Sequence, residues 1–117
     1  MTRIVQGNAI VTLINVFTVA LEDQQKLVDV LIETTETVMK IQPGFLSATL
    51  HKSLDGTHVV NYAQWRSRED VEAMQTRPEV IPHIQAAQRL AHIEPHLYEV
   101  AFIGEAPKGD RQVLFLP

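Results

Sequence analysis

Apolar and polar positions change their period several times along the chain. Residues 9–19 are dominated by β-branched and aromatic types, including Ile10, Val11, Val16, Phe17 and Val19, and that composition predicts a strand. Thr12, Asn15 and Thr18 interrupt strict alternation, so both faces of this strand are expected to be covered in part. Over 22–41 the period lengthens. Leu27, Val30, Leu31, Val38 and Ile41 recur at helical spacing behind Glu22 and Asp23. Acidic groups at that end suit a helix dipole, and the spacing gives one buried stripe. Pro43-Gly44 stops the helix.

Residues 45–54 read as a second strand and 57–65 as a third. Asp55-Gly56 lies between them and predicts a tight hairpin, because a type I′ turn needs positive φ at both central positions. Ser67 is placed to cap a short helix running to about Thr76. Pro78 and Pro82 break it, and a further helix is expected to start near Pro82, carry Ile84, Ala87, Leu90 and Ala91 on one side, and end before Pro95. Residues 96–103 are expected to form the fourth strand, 104–110 a loop, and 113–116 an apolar tail able to pair as an extra strand. Residues 1–8 read as a flexible lead-in.

This order predicts a single α+β domain over 1–117, a ferredoxin-like βαββαβ fold with helices on one sheet face. The other face also needs cover. In strand three Val59, Asn61, Ala63 and Trp65 alternate with Val60, Tyr62 and Gln64, and neither set is plainly built for water. A second copy of the chain is the economical cover, giving a homodimer in a dimeric α/β barrel.

Charge and composition narrow the function classes. The 117 residues carry a net charge of -4 and no cysteine. Clustered basic residues for phosphate contacts are missing, which argues against nucleic acid, and thiolate or disulfide chemistry is excluded. No stretch has the length of a membrane span and the N-terminus lacks a signal-like apolar run, so a cytoplasmic protein without membrane contact is expected. His92 and His96 are four apart, but Pro95 between them argues against a shared helical metal pair; no metal site is expected.

The run Pro43-Gly44-Phe45-Leu46-Ser47-Ala48-Thr49, with His51, Asp55-Gly56-Thr57 and Val59-Val60-Asn61-Tyr62-Ala63-Gln64-Trp65, resembles the antibiotic-biosynthesis monooxygenase family, and within it the cofactor-independent hydroxyanthrone monooxygenases of aromatic polyketide pathways. The resemblance implies a pocket between sheet and helices, an aromatic substrate and O2, and no cofactor. It implies catalytic roles for an Asn and a Trp on the third strand, which match Asn61 and Trp65. A Tyr and an Arg used by related enzymes have no match here; Val71 and Ile84 or Gln85 stand near those places.

The residues themselves bear on that chemistry. Side chains four apart on a strand share a face, so Asn61 and Trp65 present an amide and an indole N–H to one site. Fixed donors in a dry pocket stabilise an oxyanion, and no Gly-rich dinucleotide or phosphate loop is present. Asn15, Phe17, Leu31, His83 and Tyr98 are the further candidates for contact with substrate. The reaction expected is oxidation of an anthrone-type substrate to a quinone. Two alternatives stand beside it. One is a haem-degrading monooxygenase of the same fold, for which Asn15, Trp65 and His83 would serve. The other is a non-catalytic barrel that binds a small ligand, with Asn61 and Trp65 in purely structural roles.

Overall fold

The computed structural model describes residues 10–107. Strand β1 (Val11–Val19) leads through a 3-10 turn (Leu21–Asp23) into helix α1 (Gln24–Thr37). A second 3-10 turn (Met39–Ile41) precedes strands β2 (Phe45–Lys52) and β3 (His58–Trp65). Helices α2 (Arg68–Gln75) and α3 (Ile81–Leu90) follow, and strand β4 (Ala91–Tyr98) closes the fold. The sheet is antiparallel throughout with strand order β2-β3-β1-β4. This is the α+β ferredoxin-like fold, with the helices on one face. The lead-in 1–8 and the tail 113–116 lie outside the described residues.

The register of the central strands decides what faces the helices. Leu13, Asn15 and Phe17 of β1 stand opposite Ala63, Asn61 and Val59 of β3. Partners directly opposite share a face, so these six and Trp65 point toward the helical layer. Thr12, Ile14 and Val16, opposite Gln64, Tyr62 and Val60, point the other way. A bulge at Leu46 puts Phe45 opposite Trp65 and Ala48 opposite Ala63. Without the extra residue, Phe45 and Ala48 would point to opposite faces.

The core of the helix-facing side falls into two clusters. Trp65, Leu13, Ala63, Val38, Val71, Met74 and Val80 form one. Phe17, Val19, Leu27, Leu31, Val59 and Ala87 form the other. Asn15 and Asn61 occupy the register positions between them. Two facing amides therefore stand where an unbroken core would place two apolar side chains.

The helix over 22–41 is shorter than its apolar spacing predicts. Its regular part ends at Thr37, and Ile41 is 76% exposed in the 3-10 turn beyond it. Ser67 caps α2 as expected, its Oγ accepting from the Asp70 N–H at 3.1 Å. Pro82 sits in the first turn of α3, where its missing N–H costs nothing.

Two expectations are corrected. The fourth strand is not 96–103 but Ala91–Tyr98, which starts directly after Leu90 with Pro95 in its interior. Pro95 is tolerated because β4 pairs only with β1; an edge strand has one side free of ladder bonds. Within it Ile93, Pro95 and Leu97 lie opposite Phe17, Asn15 and Leu13, while His92, Glu94 and His96 face the other side. The two histidines thus share a face, about 13 Å apart along the strand, too far for one metal ion. No group of three or more His, Asp or Glu fit to hold a metal occurs among the described residues.

The second correction concerns the hairpin. Strands β2 and β3 pair as expected, but the connection is not a two-residue type I′ turn. Gly56 has φ of 84°, whereas Asp55 does not enter the positive region. Asp55 Oδ1 instead accepts from Ser53 Oγ at 2.7 Å, from the Thr57 N–H at 3.0 Å and from Thr57 Oγ1 at 2.7 Å. The Gln24 side chain of α1 donates to the carbonyls of Ser53 and His58, each at 3.0 Å, and ties the loop to the helix.

Two predictions follow from these local contacts. The Ser53 hydroxyl, followed by the Thr57 contacts, holds the Asp55 carboxyl at about 2 against an ordinary 3.8. A carboxyl depressed in the folded state contributes stability above its unfolded value and loses it as pH falls through the folded one. The protection of the Thr57 amide, relative to its intrinsic exchange rate, is therefore expected to fall between about pH 4 and pH 2, and the Asp55→Asn variant to lack this step. An Asp55 carboxyl titrating at its ordinary value by NMR would refute the loop geometry. Gly44, with φ of 85°, leaves no room for a Cβ beside the Asp70 side chain. Gly44→Ala is expected to destabilise the protein by about 1–3 kcal/mol, read as a lower urea midpoint at unchanged slope.

Candidate active site

Between the two core clusters lies a cavity of about 220 Å³. Its floor is the helix-facing side of the sheet, with Asn15, Phe17, Asn61 and Trp65 prominent, and its walls come from Leu31 and Thr34 of α1 and His83 and Ala87 of α3. Six of the seven candidate residues meet here: Asn61, Trp65, Asn15, Phe17, Leu31 and His83. Tyr98 does not. It stands opposite Thr12 on the other sheet face and is 48% exposed. Pairing with Thr12 fixes that face, and the cross-strand register is not visible in the sequence.

Trp65 is 1% exposed and meets the edge of Phe45 at 5.3 Å between ring centroids, with the rings 83° apart. That contact holds the indole plane. Its Nε1 is buried without a hydrogen-bond partner, as is Asn61 Oδ1. No protein group among the described residues bonds the side chain of Asn15 either. A buried polar group left unmade costs about 1–3 kcal/mol, and native interiors keep few of them. Two on one cavity, both from β3, leave an acceptor and a donor open on its floor. Gln64 Oε1 is also unpartnered, but it lies on the opposite face, where Gln64 Nε2 donates to Thr12 Oγ1 at 3.3 Å.

Beyond Leu31 and His83, the helical contributions were not foreseen from the sequence. Val71, near the place expected for a Tyr, is packed into the core beside Trp65. Ile84 lines the cavity while Gln85 is exposed. Gln75 and Gln88 supply polar groups at the wall instead. Thr34 was also missed, though a Thr inside the apolar stripe of α1 was a visible signal. It is buried, donates to the Val30 carbonyl at 2.9 Å, and lies 3.1 Å from His83 Nδ1.

The remaining histidines and Tyr62 lie elsewhere. His51 and His58 are at the hairpin, and Tyr62 is half-buried on the sheet face away from the helices. No helix among the described residues is long and apolar enough to cross a membrane.

Comparison with known proteins agrees with this fold. The chain is 45% identical over 100 residues to tetracenomycin-F1 monooxygenase of Streptomyces glaucescens, a match covering 84% of this chain and 89% of that one. Its fold is similar to the crystal structure of SnoaB, a cofactor-independent oxygenase from Streptomyces nogalater, with a TM-score of 0.75, 26% identity, and coverage of 82% of this chain and 97% of the other. An anthrone oxidase-like protein matches with a TM-score of 0.74 and 26% identity over 81% of this chain and 40% of its own. Residues 10–90 match the family model of the antibiotic biosynthesis monooxygenases, and the chain belongs to that family.

Proposed function

We propose that this monooxygenase oxidises an aromatic, polyketide-like substrate of the anthrone type to a quinone with O2 and without a cofactor. The observation that carries this reading is the pair of buried, unpartnered groups, Asn61 Oδ1 and Trp65 Nε1, on one largely apolar cavity. An amide with both ends free accepts a phenolic O–H at one end and donates to an oxyanion at the other. The indole N–H adds a second donor, and Asn15, directly opposite Asn61, brings a second amide to the same floor. Phe17, Leu31 and Ala87 around them are buried and apolar, and low-polarity surroundings strengthen each of these contacts.

The chemistry needs little else. Loss of a proton from the methylene of an anthrone gives an anion delocalised onto its oxygen. That anion passes one electron to O2, and the substrate radical and superoxide combine to a peroxide at the same carbon. Loss of the second hydrogen there with cleavage of the O–O bond gives the quinone carbonyl and water. The methylene carbon supplies four electrons, and O2 takes all four. The protein's part is to hold the ring system flat and stabilise the charge.

The haem alternative has one observation in its favour: Asn15, Trp65 and His83 do line one cavity. The volume of about 220 Å³ speaks against it. Pockets for drug-sized ligands span ~300–1,000 Å³, so this one suits a few fused rings better than a porphyrin. Haemin added to the protein is expected to leave the Soret band of free haemin unshifted.

The face away from the helices supports a homodimer. Ile14, Val16, Val60 and Tyr62 are half-buried there with no helix over them, and an isologous pair would bury them. Light scattering is expected to give twice the 13.2 kDa chain mass; a monomer at micromolar concentration would refute the pairing.

The decisive experiment is oxygen uptake with an anthrone. Asn61→Ala and Trp65→Phe are each expected to lower kcat by about 10²–10³, with the fold intact by circular dichroism. Turnover insensitive to both changes would leave the cavity as a ligand-binding site without catalytic groups.

A further inference from the structure

The oxygenation proposed above begins with removal of a proton, and neither an amide nor an indole takes one up at neutral pH. Among the described residues lining the cavity, no aspartate, glutamate, lysine, arginine or tyrosine occurs, and His83 is the one ionisable side chain. Its neighbours on the wall, Thr34, Thr35, Gln75 and Gln88, are uncharged, as are Asn15 and Asn61 on the floor. Imidazole is the side chain that changes protonation near neutrality.

The hydrogen bonds around Thr34 decide which ring nitrogen is free. Thr34 Oγ1 is 2.9 Å from the Val30 carbonyl oxygen and 3.1 Å from His83 Nδ1. A hydroxyl carries one proton, and a carbonyl oxygen only accepts. The Thr34 proton therefore lies toward Val30, since turning it away would set two oxygen lone pairs against each other at 2.9 Å. Toward His83 the Thr34 oxygen presents a lone pair, so Nδ1 must be the donor. A neutral imidazole with its proton on Nδ1 has its lone pair on Nε2. No protein group among the described residues bonds that nitrogen.

We infer that His83 Nε2 is the base that accepts the substrate's proton, and that Thr34 is the positioning residue that keeps this nitrogen free. The inference rests on the aromatic-oxygenation reading. In the step, the acidic C–H or O–H bond of the anthrone breaks and its electron pair stays on the substrate as the delocalised anion. The proton forms the Nε2–H bond, and no electron leaves the substrate until O2 arrives. The Thr34 contact survives the transfer, because Nδ1 donates in both the neutral and the charged ring. The imidazolium then returns its proton to the peroxide, and the base is restored.

The test uses the full-length protein and dithranol, a dihydroxyanthrone, mixed without oxygen. Trp65 is the chain's one tryptophan, so its fluorescence reports binding independently of ionisation. The absorbance of the anthrone anion reports the proton transfer. Wild-type protein is expected to bind the probe and ionise it at neutral pH. His83→Gln is expected to quench as wild type does, to leave the probe neutral, and on admission of air to turn over about 10²–10⁴-fold more slowly, with partial rescue by added imidazole. Thr34→Val is expected to bind the probe but to lose anion and kcat together, and Thr34→Ser to restore both. Full ionisation of the probe by His83→Gln would overturn the inference. Ionisation in the wild type without later O2 uptake would leave the base in place and defeat the oxygenation reading. A fluorescence that does not respond to the probe would defeat both.

Discussion

The register between the two central strands is the constraint on which the site depends. It sets Asn15 opposite Asn61, with Leu13 and Ala63 on one side of the pair and Phe17 and Val59 on the other. A slip of one residue would turn every one of these side chains to the other face. In the observed register two amides interrupt what would otherwise be a continuous apolar floor. The core divides into two clusters, and the cavity is the gap between them.

Such an arrangement works against stability. Apolar groups at 15 and 61 would close the gap, and interiors normally pack without voids of this size. The unpartnered indole nitrogen and amide oxygen add an unmet hydrogen-bonding requirement. What holds them in place is the packing around them. Phe45 sets the plane of Trp65 through the edge-on ring contact, and the bulge at Leu46 keeps Phe45 on the same face as Ala48. Local departures from ideal structure thus collect around the candidate site, where conflict between stability and function is expected.

The helical layer supplies the groups the sheet lacks. The sheet brings amides and an indole, which hydrogen-bond but do not exchange protons at neutral pH. The imidazole comes from the first turn of α3, and the hydroxyl that orients it comes from α1, 49 residues earlier in the chain. The proposed floor for binding charge and the proposed wall for moving a proton therefore belong to different secondary structure, joined only by the packing of helices on sheet.

Much of this was legible in the residue order. The β-branched run at 11–19, the Asp-Gly signal between two strand-like runs and the Ser67 cap each reflect short-range physics, and a short window suffices to read them. The shared face of Asn61 and Trp65 followed from the period of a strand, and the likeness of residues 43–67 to a known family pointed to the same two side chains. Pro95 misled because proline breaks a helix or a central strand but not an edge strand, and edge position is a property of the whole sheet. Asp55-Gly56 marked the hairpin but not its turn type, because the side-chain bonds of Asp55 reshaped the turn. Tyr98 lies on the face away from the cavity because the register pairs it with Thr12. Windows of a few residues thus determined the elements, their order and the shared face of Asn61 and Trp65. Tertiary structure alone decided the opposition of Asn15 and Asn61, the split core and the meeting of Thr34 with His83, because cross-strand register and helix-on-sheet packing join residues that no local period relates.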